Sequence, residues 1–336
     1  MASPELSKLV QSVVEPYLLN GPRRYTREDV SRQSGLPPEL TRRLWISLGF
    51  PANPDDEAVE YTDADVEAVN NFQSLAALAA TDVRQQSGAA RTLGQSMARL
   101  AEWQVDLVAE EIVDRIRAIT AADPAADEAA IAQEATEEVV STLQQLQAYA
   151  WRRHLAAALG RSLDGDGSGG GDTTLRDLAV GFADMVGYTR LTRHLDPEEL
   201  TRLLESFETI TTDAITGNGG WVIKNVGDEV MFAAESAAVG ARIALAVQEA
   251  ALADGSTPEL RVGLAYGEVL QRFGDLYGSV VNTAARLTGV ARPGTVLIDD
   301  GAAAQVAGEP GFTLRHLRGV RVRGFNRLRS HVLRRA

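Results

Sequence analysis

The chain has 336 residues, 45% of them hydrophobic and 24% charged, the proportions of a folded globular protein, which exclude a mainly disordered or collagen-like chain. It contains no cysteine, so disulfide scaffolds, thiol nucleophiles and cysteine-ligated zinc or iron–sulfur centres are removed, and any metal must sit on oxygen or histidine. The net charge of −13 is uneven: residues 1–172 carry 15 basic against 27 acidic side chains, residues 173–336 carry 18 against 19, and the acidic half repels a phosphate backbone at long range.

This length exceeds what one ordinary core needs and favours two domains. No stretch approaches the ~20 apolar residues of a membrane span, and Glu5, Lys8 and Glu15 stand where a secretory signal would be apolar. A cytoplasmic protein is expected. The segment Asp164-Gly-Asp-Gly-Ser-Gly-Gly-Gly-Asp172 has the composition of a flexible linker. It lacks the further ligands and terminal glutamate of an EF-hand. The expected organisation is an all-helical regulatory or dimerisation domain over 1–160, a linker over 161–173, and a second domain over 174–336.

Thr26, with Asp29 three residues on, predicts a capped helix start. Gly35-Leu-Pro-Pro makes a turn, and Leu40, Leu44 and Ile46 mark a second short helix that Gly49-Phe-Pro51 stops. With a further capped start at Thr62-Asp-Ala-Asp65, these fifty residues resemble the small helical DNA-reading domain of MerR-type regulators. Arg23, Arg24, Arg27, Arg32, Arg42 and Arg43 could contact phosphates. The same residues also suit a solvated helical face, which the acidic surroundings favour, so nucleic acid is not an expected partner. Leu93, Met97, Leu100, Val105, Val108, Ile112, Ile116 and Ile119 recur at helical spacing. A second long helix, expected from about Pro124, carries Ile131 to Tyr149 and runs on through Trp151 and His154. Such stripes commonly pack against a symmetry mate.

The second half alternates between strand and helix. Leu178–Ala183 reads as a buried strand, 197–216 as a helix, Gly220–Val226 with Glu229–Ala233 as a hairpin, and 236–253 as a helix. Arg261–Ala265, Glu268–Leu270 and Thr295–Ile298 read as further strands. The order βαββαβ predicts an α+β, ferredoxin-like sandwich. Asp184 and Asp228 fall at strand ends, the second at a hairpin tip after Gly227. If the hairpin lies beside the first strand, the two carboxylates converge on a hard oxygen site able to hold two divalent ions, Mg²⁺ or Mn²⁺. The backbone N–H groups from Val186 through Gly187, Tyr188 and Thr189 could receive phosphate oxygens. Taken singly, an aspartate at a strand end is more often a turn or cap residue.

Phe182-x-Asp184-x-x-Gly187-Tyr-Thr189, Lys224-x-x-Gly227-Asp228, Arg261-Val-Gly263-x-x-x-Gly267 and Asp275-x-x-Gly278-x-x-Val-Asn282-x-x-x-Arg286 together resemble the catalytic domain of class III nucleotidyl cyclases, over roughly 174–334. The resemblance implies that Asp184 and Asp228 bind the metals, and that Lys224 and Asp275 read the purine. Asn282 would orient the ribose, and Arg286 would meet charge on the α-phosphate. Arg261 would lie near the triphosphate. A lysine donor with an aspartate acceptor selects adenine over guanine, so the implied reaction is ATP to cyclic AMP and pyrophosphate. Family sites are built from two catalytic domains; one complete set per chain implies a homodimer. The N-terminal domain resembles regulatory domains of actinobacterial members. His154, flanked by Arg152 and Arg153, is a candidate pH sensor, and a lipid or small ligand between the apolar helices is the other expected signal. Two rival readings remain: a DNA-binding regulator with a degenerate cyclase-like sensor, and a diguanylate cyclase suggested by Val226-Gly-Asp-Glu-Val230.

Overall fold

The computed structural model describes residues 4–75, 82–164, 174–322 and 325–336. The chain divides into two compact units, Met1–Ser162 and Leu163–Ala336.

Among the described residues, the regular elements of the first unit are all helices, joined by loops, with one isolated bridge between Tyr25 and Tyr61. Its helices are α1 (Pro4–Leu18), α2 (Arg27–Ser34), α3 (Pro38–Ser47), α4 (Asp63–Ser74), α5 (Val83–Ala122) and α6 (Glu128–Asp164). Helix α2 starts where the capping pattern places it. The Thr26 hydroxyl accepts from the Asp29 N–H at 3.2 Å, and the Asp29 carboxylate accepts from the Thr26 N–H at 3.0 Å, satisfying two backbone donors reciprocally. Val30, Tyr61 and Val66 are buried, with Tyr25, Trp45 and Val69 packed on them. Leu44 is buried but Ile46 is 47% exposed, so the expected apolar face of α3 is narrower than its sequence suggests. Arg27 is buried, ion-paired with Asp56, and donates to the Asn53 carbonyl at 2.7 Å. Arg23, Arg24 and Arg32 pair with Glu15, Asp63 and Asp29. Four of the six candidate phosphate contacts thus serve the fold's own carboxylates.

Helices α5 and α6 form an antiparallel pair. Ile112, Val113 and Ile116 pack with Ile131, Ala132, Ala135 and Val10. Arg115 pairs with Glu138, and Gln147 donates to Gln104 at 2.7 Å. Of the stripe read from the sequence only Ile112 and Ile116 are buried; Leu93, Met97 and Val105 are about half exposed and Ile119 is exposed too, as are Trp103, Tyr149 and Trp151. Helix α6 starts at Glu128, four residues after Pro124, and takes residues 161–164 into its last turn. The rest of the expected linker lies outside the described residues.

The second unit runs β1 (Thr174–Met185), α7 (Tyr188–Leu191), α8 (Pro197–Gly217), β2 (Trp221–Val226), β3 (Glu229–Ala234), α9 (Ala237–Asp254), β4 (Leu260–Arg272), β5 (Asp275–Tyr277), α10 (Ser279–Val290), β6 (Thr295–Ile298), α11 (Asp300–Val306), β7 (Phe312–Val322) and β8 (Phe325–Arg335). The sheet order is β2-β3-β1-β4-β6-β8-β7, with β5 paired to β4. The unit is α+β with the expected βαββαβ start. The two segments expected between 261 and 270 are one 13-residue strand.

Side chains alternate across a strand, and the two faces of this sheet have separate cores. Ala179 and Ala183 of β1 join Val262 and Leu264 of β4 under α8, α9 and α11. Leu178, Val180 and Phe182 join Met231 and Ala265 on the other face, where Val280 and Ala284 of α10 pack. Helix α10 lies so close to β4 that a Cβ at Gly263 would sit 2.4 Å from the Ala284 carbonyl oxygen and the Thr288 nitrogen. The Thr288 hydroxyl bonds to the Phe182 carbonyl at 3.3 Å. Because both neighbouring atoms are backbone, Gly263→Ala should push α10 away and cost about 2 kcal/mol, read as a lower midpoint for the second unit in urea unfolding of the full chain.

Candidate active site

Asp184 is the penultimate residue of β1 and shares the parity of Phe182, which places it on the α10 face. Its Cα partners are Glu229 of β3 on one side and Arg261 of β4 on the other. Glu229 has the parity of Met231 and Arg261 that of Ala265, so all three sit side by side on one face, about 4.8 Å apart by strand spacing.

The β2–β3 hairpin folds Asp228 against this row. Gly227 takes φ +60° at the tip, a conformation a side chain would resist, and the Met185 N–H donates to the Asp228 carbonyl at 3.0 Å. The charge of Asp228 is felt at the Asp184 carboxyl. Arg261 is ion-paired to Asp184 through Nη2 and Oδ2. The Asp184 carboxyl is nevertheless pushed above the ordinary aspartate range. Burial is the largest cause; Arg261 opposes it and Asp228 adds to it. Glu229 is pushed up as well, first by burial, then by the charges of Asp184 and Asp228, against the pull of Arg261 and Lys224.

On the neighbouring strands, the Lys224 ammonium donates to Asp275 Oδ2 at 2.7 Å. Lys224 stands at a register shift in β2, and Asp275 opens β5, where its other oxygen accepts the Leu276 N–H at 2.9 Å. Asn282 and Arg286 lie four residues apart on α10, Asn282 exposed and Arg286 half-buried. Asn282 is inside the helix, whose N-cap is Gly278, so it is not a capping residue.

The expected phosphate-receiving turn is only partly available. The Val186 N–H is committed to the Glu259 carbonyl at 2.9 Å. Gly187 is the N-cap of α7, which is a single turn, and the Tyr188 side chain packs on the hydrophobic core while Thr189 is exposed. His154 lies exposed on α6 in the first unit. Sequence reasoning did not single out Glu229 as a site residue. The available signal was register: the residue after the hairpin-tip aspartate falls opposite Asp184 once β3 pairs with β1.

Asp184 and Asp228 offer hard carboxylate oxygens, although no group of three or more acidic or histidine side chains among the described residues is placed to hold a metal by itself, so a cation here would take its remaining ligands from water or a bound phosphate. A divalent cation there would offset the burial and mutual repulsion that raise the Asp184 carboxyl, so the residues present fit such an ion.

Residues 173–335 match the adenylate and guanylate cyclase catalytic domain. The chain is 39% identical over 288 residues to an adenylate cyclase of Streptomyces coelicolor, covering 85% of this chain and 72% of that relative. It is 37% identical over 286 residues to the adenylate cyclase of Streptomyces griseus, covering 85% and 69%. With the adenylate cyclase of Glutamicibacter nicotianae it shares 32% over 345 residues, covering 98% and 84%. The chain belongs to the class III adenylyl cyclases, a family of enzymes. These alignments extend well upstream of the cyclase domain. Among the described residues, no helix is long and apolar enough to cross a membrane.

The Glu229 shift has a consequence for stability. Its folded carboxyl holds a proton more tightly than the unfolded one, so the protein loses stability as pH rises from the unfolded value through the raised folded value. Glu229→Gln removes that loss. In chelator-treated buffer the variant should melt higher than wild type at neutral pH, and the difference should close below about pH 4.3.

Proposed function

We propose that the second unit converts ATP into 3′,5′-cyclic AMP and pyrophosphate, with two divalent cations, Mg²⁺ or Mn²⁺, held by Asp184 and Asp228. The observation that carries this reading is the Lys224–Asp275 hydrogen bond at 2.7 Å within the chain that also brings Asp184 to Asp228. Residues separate in sequence meet in both places, which supports reading Lys224 with Asp275 as the purine reader and Asp184 with Asp228 as the acidic cradle.

The side chains divide the work by chemistry. Adenine presents an acceptor at N1 and a donor at its 6-amino group, so Lys224 donates to the first and Asp275 accepts from the second. Guanine offers the reverse pattern and leaves both groups unpaired, which selects against GTP. Asn282 orients the ribose so that its 3′-hydroxyl faces the α-phosphorus. The Arg286 guanidinium neutralises charge that develops on the α-phosphate as the new P–O3′ bond forms and the bond to pyrophosphate breaks. Arg261 and the turn at Gly187, Tyr188 and Thr189 serve the triphosphate. Cations bound at the aspartates supply Lewis acidity toward the 3′-hydroxyl and the phosphates.

The working form is a homodimer, each site drawing its cation cradle from one protomer and its purine and transition-state residues from the other. Exposed apolar residues on α5 and α6 support the same assembly. The N-terminal unit controls activity through α6, which is continuous with the segment leading into the second unit. pH acting at His154, or a lipid or small ligand between the helices, is the signal. On this reading His154→Ala shifts the pH–rate profile of the full chain, and an unchanged profile removes His154 from that role.

The test is to incubate the purified full chain with Mn²⁺ and ATP or GTP and identify the product. Cyclic AMP from ATP, with much less turnover of GTP, is expected; a cyclic dinucleotide or no product overturns the reading. Arg286→Ala should lower kcat by about 10²–10³ with little change in KM, as loss of a group acting only in the transition state does.

A further inference from the structure

Two features of Arg261 do not follow from a role at the triphosphate alone. The first is its partner. Arg261 and Asp184 are directly opposed across β1 and β4, and the guanidinium is paired with Asp184 Oδ2, an oxygen of the carboxylate assigned to the cation. Both side chains are largely withdrawn from water, at 30% and 16% exposure, so solvent screens the pair only weakly. The second is what this pairing leaves undone: Arg261 Nε is buried with no hydrogen-bond partner, a group that costs free energy for as long as it stays unpaired. An acceptor brought to the guanidinium from outside the chain would pair this group as well.

We propose that Arg261 is an exchangeable counter-ion. It neutralises Asp184 from within the chain, competes with a divalent cation for that carboxylate, and releases it when an external anion takes the guanidinium. The proposal rests on the assignment of Asp184 as a cation ligand. The charges around the pair agree with it. Glu229 lies opposite Asp184 across β1 and β3, and Asp228 precedes it at the hairpin tip, so a cation entering the row gains the attraction of these carboxylates but meets the repulsion of Arg261. Once a triphosphate draws the guanidinium away, that repulsion ends. Cation and nucleotide binding are then positively coupled through one side chain, and each must raise the affinity for the other by the same factor.

The competition can be read without turnover, by titrating the nucleotide-free full chain with Mn²⁺ and following free Mn²⁺ by electron paramagnetic resonance. A neighbouring guanidinium changes a carboxylate's affinity for a proton by about tenfold or more, and a doubly charged ion feels the same field. Arg261→Gln should therefore bind Mn²⁺ about tenfold more tightly than wild type, and Mn²⁺ should raise its melting temperature by more. A purely structural arginine gives the opposite result, because its loss disorders the cradle and weakens binding. Equal or weaker Mn²⁺ binding by Arg261→Gln overturns the proposal. Should that variant not fold, Arg261→Lys decides: the shorter, unforked side chain binds Asp184 less well, so tighter Mn²⁺ binding supports the competition and equal or weaker binding overturns it. Asp184→Asn separates the two levels of inference. If it binds Mn²⁺ as wild type does, the cation assignment itself fails; if it loses Mn²⁺ while Arg261→Gln gains nothing, only the counter-ion proposal fails.

Discussion

The catalytic unit is organised by a row of three charged side chains, Glu229, Asp184 and Arg261, in register on adjacent strands and on the same face. Strand pairing alone produces this row. A slip of one residue in either β1–β3 or β1–β4 would send one member to the opposite face, under α8 and α9, where a charge has no water and no partner. The apolar pattern of both cores therefore enforces the register, and the register places the chemistry. Packing that looks remote from the site, such as Ala183 and Val262 beneath the helices, is what keeps the carboxylate and the guanidinium facing each other.

The row also explains why burial and charge act against one another here. Burial and neighbouring carboxylates hold the Asp184 and Glu229 carboxyls above their ordinary range despite Arg261 and Lys224, and the protein holds this arrangement at some expense in stability. Such arrangements are common where a ligand is to complete the charge balance. The Lys224–Asp275 pair is arranged differently, since the ammonium and the carboxylate satisfy each other and carry no net charge.

Much of this was legible in the chain. The alternation of strand and helix from Leu178 to Ile298 follows from period-two and helical spacing, and Gly227 before Asp228 marks a tip that only a tight hairpin explains. The β7–β8 hairpin was not legible. In Phe312-Thr-Leu-Arg-His-Leu-Arg the alternation is diluted by arginine and histidine, and the strand is recognisable only once β8 pairs with it and β6. The long helices were legible in kind but not in burial. A single sequence shows that Leu93 and Met97 continue a stripe, yet not that the intramolecular partner helix covers only part of it. At the site, residue types and spacing pointed to Asp184 and Asp228, but the engagement of Val186 with Glu259 and of Arg261 with Asp184 depends on contacts about seventy residues apart. Local pattern carries no record of these.

The hydrogen bond from the Met185 N–H to the Asp228 carbonyl laces the hairpin tip to the end of the central strand through main-chain atoms, so the backbones that carry the two aspartates are tethered to each other. A change in the spacing of the two backbones has to break that bond, whereas the carboxylates themselves can still reorient through their side-chain torsions.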